Sequence, residues 1–290
     1  MEKTSAFFIS DAHLGSNIPG CEERSDLFHK FLREIAPRAD YLFIVGDLFD
    51  FWIEYKHAVR PEYFPTLYAL RALADTGTKI HYCLGNHDFA MGTFIEEKIG
   101  LKIHPDGFQG NIQGKRLMVT HGDELRGSQF LRKLLRNPHL QFFYKILHPN
   151  IGIPLGEFFS GLSRTYFNTD ASEEILEEYR QVAKDILSTG YDIVVFGHTH
   201  TPELIRTEEG ISCNTGNWIS QYSYAELSDG EMHLRQYNGE WGMGSGREKK
   251  GRAGKSREKK GEEGKCRAQQ SDRSDLSDLS NAADQSDKNP

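Results

Sequence analysis

Five short apolar runs of strand length punctuate the chain, and each stops abruptly in residues able to bind a metal ion. Ala6-Phe7-Phe8-Ile9-Ser10 ends in Asp11-Ala12-His13, and Tyr41-Leu42-Phe43-Ile44-Val45 ends in Gly46-Asp47. Ile80 to Leu84 leads into Gly85-Asn86-His87-Asp88, Arg116 to Thr120 into His121-Gly122-Asp123, and Asp192 to Phe196 into Gly197-His198-Thr199-His200. Apolar residues recur at helical spacing between these runs, at Leu27, Phe28, Phe31, Leu32 and Ile35 and again at Ile175, Leu176, Tyr179, Val182 and Ile186, which predicts helices over 26–35 and 172–187. Strands that alternate with helices specify an α/β fold, in which ligands collect at the carboxyl ends of the strands. All five clusters are therefore expected along one edge. The final third alternates or carries turn signals such as Asp229-Gly230, so 203–206, 211–214, 222–227 and 232–237 are read as antiparallel strands closing the domain.

Composition changes this picture mainly at the C-terminus. Gly242 to Pro290 holds 12 basic and 9 acidic residues and no aromatic one, too little apolar surface to offset the entropy of ordering the chain. The expected organisation is one domain over 1–241 and a disordered charged tail over 242–290. Of the 290 residues, with 35 Lys and Arg against 42 Asp and Glu, the first 241 keep 23 basic and 33 acidic, a net charge of −10. So acidic a body is a poor candidate for a general nucleic-acid binder, and no nucleic-acid partner is expected. The stretch from Arg247 to Arg267, 10 basic and 4 acidic residues, reads as a solvated tail ahead of a membrane or RNA contact. Cys21, Cys83, Cys213 and Cys266 show no paired spacing, which suits reduced thiols in a cytoplasmic protein. No signal-peptide core and no apolar stretch of membrane-spanning length is present in the sequence.

Taken singly, the clusters are weak signals: Asp-x-His and His-x-His are commonplace, and Asn86 also suits a turn. Together, Asp11, His13, Asp47, Asn86, His121, His198 and His200 form an oxygen and nitrogen donor set too large for one tetrahedral zinc and devoid of thiolate. Seven donors suffice for two ions if one carboxylate bridges, and the set suits Mn, Fe, Zn or Mg. Two metals about 3.5–4 Å apart activate water and clamp a phosphoryl centre, so the implied chemistry is hydrolysis of a phosphate ester or anhydride.

The order Asp-x-His, Gly-Asp, Gly-Asn-His-Asp, His-Gly-Asp and Gly-His-Thr-His, from Asp11 to His200, resembles the motif set of the calcineurin-like metallophosphoesterases. The resemblance implies a β-sandwich flanked by helices, an αββα arrangement. It implies that Asp11, His13, Asp47 and His200 hold one metal and that Asp47, Asn86, His121 and His198 hold the other, with Asp47 bridging. It places His87 over the scissile phosphate as acid or charge stabiliser, with Asp88 orienting its ring, and it implies attack by a metal-bridging hydroxide.

Residues 9–15 and 46–52, with Asn214-Thr215-Gly216-Asn217-Trp218, look like the UDP-2,3-diacylglucosamine diphosphatase branch, which releases UMP and lipid X. That branch implies Mn2+, a lipid-linked nucleotide-sugar substrate and a peripheral position on the cytoplasmic face of the inner membrane. One departure is His87, where the best-known members of the branch carry arginine; it leaves open a soluble nucleotide or another lipid-linked diphosphate. A non-catalytic scaffold is disfavoured because every ligand position is filled. An insert, about 126–170, carries Phe130, Leu131, Leu134, Leu135, Leu140, Phe142, Phe143, Ile146 and Leu147 at helical spacing among basic residues. Such a pair of helices is expected to act as a lid, admitting acyl chains or resting on an anionic membrane, or else to be core helices with solvated basic faces. The branch takes a Ser, an Asn and a Lys from this insert to its substrate; Ser163 and Asn168 are the counterparts here, with Arg164 and Arg126 standing in to reach the diphosphate.

Overall fold

The structure is a computed structural model and describes residues 5–16, 18–125, 136–167 and 171–239, the stretch 162–167 by its backbone alone. The tail over 242–290, Arg126 and Asn168, and the side chains of Ser163 and Arg164 lie outside the described residues. The strands are β1 (Ser5–Ile9), β2 (Ala39–Val45), β3 (Lys79–Cys83), β4 (Leu101–His104), β5 (Phe108–Ile112), β6 (Lys115–Val119), β7 (Ile193–Phe196), β8 (Glu203–Arg206), β9 (Ile211–Asn214), β10 (Ser223–Ser228) and β11 (Glu231–Gln236). The helices are α1 (Cys21–Ile35), α2 (Phe64–Asp75), α3 (Pro138–Ile146), α4 (Pro149–Phe167) and α5 (Glu173–Ser188).

Two sheets result, one ordered β11-β10-β1-β2-β3-β4 and the other β5-β6-β7-β9-β8. Strands β1 to β4 run parallel, and β1 is apolar on both faces as a strand covered on both sides must be: Phe7 faces a cluster with Phe28 and Phe31 of α1, while its neighbour Phe8 faces Phe43, Val119 and Val195 between the sheets. Both rings are fully buried, each contributing on the order of 2–3 kcal/mol. On the far side α5 covers the second sheet through Tyr179, Ala183 and Leu187 against Val194 and Phe196. Helices thus flank a sandwich, the αββα arrangement that the family resemblance implied.

The closing strands are not uniformly antiparallel. Strand β9 pairs antiparallel with β8 but parallel with β7, Ile193 opposite Ile211, because β8 turns back on the outer edge and returns the chain in the direction of β7. Strand β10 crosses to the other sheet and pairs antiparallel with β1, and β11 completes the hairpin. This crossing ties the two sheets together beneath the site. No described helix is long and apolar enough to cross a membrane.

Candidate metal centre

The carboxyl ends of β1, β2, β3, β6 and β7 meet along one rim of the sandwich, and the five sequence clusters meet with them. Backbone bonds stitch the first two loops together: Asp11 donates to Gly46 O at 3.2 Å, Ala12 and His13 both donate to Asp47 O at 3.0 and 3.1 Å, and Asp50 donates to Leu14 O at 3.0 Å. Asp11, His13, Asp47, His198 and His200 all have positive φ, between 43° and 64°. Side chains other than glycine pay for that conformation, and its concentration on five candidate ligands marks a site held against local preference.

The glycines that precede the ligands have a steric cause. A Cβ at Gly46 would land on the His121 imidazole and one at Gly85 on the Asp47 carboxylate, while one at Gly197 would sit 2.6 Å from Asp11 Oδ2. The ligands can approach one another only because these positions carry no side chain.

Distances define a single cluster. His200 Nε2 lies 3.2 Å from Asp11 Oδ1, and His121 Nε2 lies 3.3 Å from Asp47 Oδ2, 3.1 Å from Asn86 Oδ1 and 3.2 Å from His198 Nδ1. His121 Nδ1 donates to Val45 O at 2.8 Å, since a carbonyl only accepts, and this turns Nε2 toward the cluster. Burial favours the neutral carboxyl at Asp11, yet His200 beside it holds its pKa down at about 2. Against the same burial, His121 and His87 hold Asp47 well below the usual carboxylate range. Burial pushes His13 far below its ordinary value, with His87 adding to the effect, and pushes His198 down to about 4, with His121 adding. Burial works against charge at His121 and His200 as well, but Asp47 raises His121 well above its ordinary value and Asp11 raises His200, so ionised carboxylates stand beside uncharged His13 and His198 and beside two imidazoles whose protons a divalent cation would displace. His13 gives a direct test of fit: its side chain is 1% exposed, and neither ring nitrogen has a hydrogen-bond partner among the described residues. Buried polar atoms are normally satisfied, and two open imidazole nitrogens among carboxylates fit a metal site.

Comparison with known proteins agrees with this geometry. The family model for calcineurin-like phosphoesterase matches residues 5–202, which include every clustered ligand. The chain belongs to the calcineurin-like phosphoesterase family. It is accordingly a metal-dependent phosphoester or phosphoanhydride hydrolase. It is 31% identical over 245 residues to a UDP-2,3-diacylglucosamine hydrolase of Stenotrophomonas maltophilia, covering 79% of this chain and 97% of that protein. A protein of the same name from Porphyromonas gingivalis is 28% identical over 251 residues, covering 77% and 94%. Among solved structures, the phosphoesterase Yfce from E. coli is similar at a TM-score of 0.42 and 19% identity, covering 81% of this chain and 93% of that one.

All seven sequence-predicted ligands of this phosphoesterase lie in the cluster, and His87 stands beside it, its Nε2 4.0 Å from Asp47 Oδ2 and its ring edge-on to His13. Asp88 does not orient that ring. Its Oδ2 accepts the backbone N–H of Gly85 at 2.8 Å and of Asp47 at 3.2 Å, and its Oδ1 accepts the Tyr82 hydroxyl at 2.7 Å, so its lone pairs are committed to the loop beneath. The ring is seated instead by Asp50 O at 2.7 Å and Ser160 Oγ at 2.9 Å.

Asp50 and Ser160 were not singled out from the sequence. For Asp50 a signal existed, an acid three residues after Asp47 on the same loop; for Ser160, inside a long helix, none did. The Asn214-to-Trp218 segment proves to be a buttress. Asn214 Nδ2 donates to Gly197 O and Thr199 Oγ1, Asn217 Nδ2 donates to His200 O, and Trp218 N donates to Asp11 O.

Proposed function

We propose that this phosphoesterase hydrolyses the diphosphate of UDP-2,3-diacylglucosamine to UMP and 2,3-diacylglucosamine 1-phosphate. Water oxygen adds to one phosphorus, and the anhydride oxygen leaves with the other phosphate. Asp11, His13, Asp47 and His200 would hold one divalent ion and Asp47, Asn86, His121 and His198 a second, Mn2+ suiting this mixed donor set. Such a pair supplies an activated water and positive charge for the phosphoryl oxygens.

His87 is placed for the phosphoryl group. With Nδ1 bonded to the Asp50 carbonyl, its Nε2 faces the cluster, as acceptor in the neutral ring and as donor to a phosphoryl oxygen or leaving group in the imidazolium.

The observation that carries the substrate is apolar surface at the rim. Helices α3 and α4 expose Phe142, Phe143, Ile146, Ile151, Phe158 and Phe159, each more than half accessible, although α4 reaches His87 through Ser160. An apolar face of this extent beside a phosphoryl site fits acyl chains and a lipid surface. It agrees with relatives named for a diacylated nucleotide-sugar substrate.

A second reading, a soluble nucleotide or another lipid-linked diphosphate, draws on His87. Turnover of acylated and deacylated UDP-glucosamine by the Mn2+-loaded enzyme separates the two. The proposal expects the acylated form to be preferred by at least about tenfold in kcat/KM; equal turnover would favour a soluble substrate.

A further inference from the structure

Helix α4 meets the rim through one narrow stripe. Gly152, Gly156 and Ser160, four residues apart, are its buried positions among the described side chains. A Cβ at Gly152 would land on the Tyr55 hydroxyl and one at Gly156 on the Phe51 ring, so the helix backbone lies directly against the loop that follows Asp50. The Arg60 and Glu157 ion pair at 2.7 Å holds the helix there, and the Tyr144 hydroxyl on Gly152 O, also at 2.7 Å, ties it to α3.

The third position of the stripe differs from the first two because it carries a hydroxyl, and that hydroxyl reaches the site. Ser160 Oγ lies 2.8 Å from Asp50 O, 3.3 Å from Asp50 Oδ1 and 2.9 Å from His87 Nδ1. His87 Nδ1 lies 2.7 Å from the same Asp50 O. Since a carbonyl only accepts, the His87 Nδ1–H is shared between Asp50 O and Ser160 Oγ, while the serine proton goes to Asp50. Every polar atom in the triangle then has a role. Packing alone needs no hydroxyl, and the two preceding stripe positions, both glycine, carry none.

We propose that Ser160 is a positioning residue for His87, so that docking of α4 on the Phe51–Tyr55 loop and alignment of the His87 ring are one event. This inference rests on the reading of the cluster as a diphosphate hydrolase site in which His87 faces the phosphoryl group. It makes α4 part of the catalytic frame as well as an apolar cover: a substrate that displaces the helix also releases the ring.

The test is a double-mutant cycle on the Mn2+-loaded full-length enzyme with UDP-2,3-diacylglucosamine, using Ser160→Ala, Ser160→Thr, His87→Ala and the His87→Ala, Ser160→Ala pair. Ser160→Ala is expected to lower kcat about tenfold with KM within about twofold, Ser160→Thr to restore kcat to within about threefold of wild type, and Ser160→Ala to cost nothing further once His87 is gone. An equal loss in both backgrounds, or no loss in either, overturns the proposal, as does a Thr variant worse than Ala, which is the order packing alone would give. If wild type leaves that substrate intact but cleaves bis(p-nitrophenyl) phosphate, the substrate reading fails, and the same cycle read on the diester still decides the role of Ser160. Independently of turnover, the His87 Nδ1–H resonance of histidine-15N-labelled protein should be protected from solvent in wild type and exchange in Ser160→Ala. Identical spectra would also overturn the proposal.

Discussion

Asp88 Oδ2 accepts the backbone N–H of Asp47, the candidate bridging ligand, at 3.2 Å. The carboxylate that follows His87 in sequence therefore fixes the loop that presents the candidate bridge rather than the His87 ring. Asp88→Ala would leave two backbone N–H groups and the Tyr82 hydroxyl without their acceptor inside a fully buried pocket. At roughly 1–3 kcal/mol for each unpaired buried group, partly recovered by relaxation, the expected loss is about 3 kcal/mol of stability together with weakened metal binding. Urea denaturation and metal titration check both.

The site was legible in sequence because its ligands sit at strand ends, where a run of apolar residues gives way to one polar cluster. Strand β1 and the Asp11 cluster are visible in that way. Less visible was whatever depends on packing between distant segments. Strands β4 and β5 went unnoticed: Leu101 to His104 and Phe108 to Ile112 are short and half polar, and the sheet rather than local pattern makes them strands. Helix α2 is absent from the sequence reading as well, although Leu67, Leu70 and Leu73 stand at helical spacing on its buried face. The positive φ of Asp11 and His200 is not fixed by their immediate neighbours in sequence; backbone bonds such as Asp11 N to Gly46 O, between distant loops, accompany it. The contact of Ser160 with His87 spans 73 residues and depends on a helix resting on its glycines.

Gly46 is the clearest steric requirement. Its φ is +85° and a methyl group there would meet the His121 ring, so Gly46→Ala is expected to cost about 3 kcal/mol and to lower metal affinity at least tenfold. Thermal unfolding with and without added Mn2+ measures the two effects, and a variant as stable and as tightly metallated as wild type would contradict the packing described for this corner.

Stability should also respond to acid through a pair remote from the site. His81 Nδ1 lies 2.8 Å from His104 Nε2, packed against Phe43 and Phe108. Burial, His104 and the flanking Lys102 and Lys79 press the pKa of His81 down to about 4, while Glu96 opposes the same trend at His104. The folded value lies below the unfolded one, so above about pH 6.5 both states are neutral and this contribution to stability is complete. Between pH 6.5 and 4 the unfolded chain takes up a proton that the folded chain refuses, and stability falls. Allowing for the ring's partial exposure, wild type should lose about 2 kcal/mol more than His81→Gln between pH 7 and 4.5 in urea titrations. Parallel pH profiles would show that the pair does not titrate in this way.

The apolar helices can be tested on vesicles. Replacing Phe142, Phe143, Phe158 and Phe159 together by serine should abolish sedimentation with phosphatidylethanolamine and phosphatidylglycerol vesicles and raise KM for the acylated substrate about tenfold. Unchanged sedimentation and KM would remove the basis for lipid contact at α3 and α4.

The most direct test is UMP release from UDP-2,3-diacylglucosamine by metal-stripped protein, before and after Mn2+ is added, alongside His121→Ala. UMP and 2,3-diacylglucosamine 1-phosphate should appear only with metal, and the variant should be at least 100-fold slower because His121 joins Asp47, Asn86 and His198. Release that needs no added metal, or that His121→Ala leaves undiminished, would contradict a metal-dependent hydrolase built on this cluster.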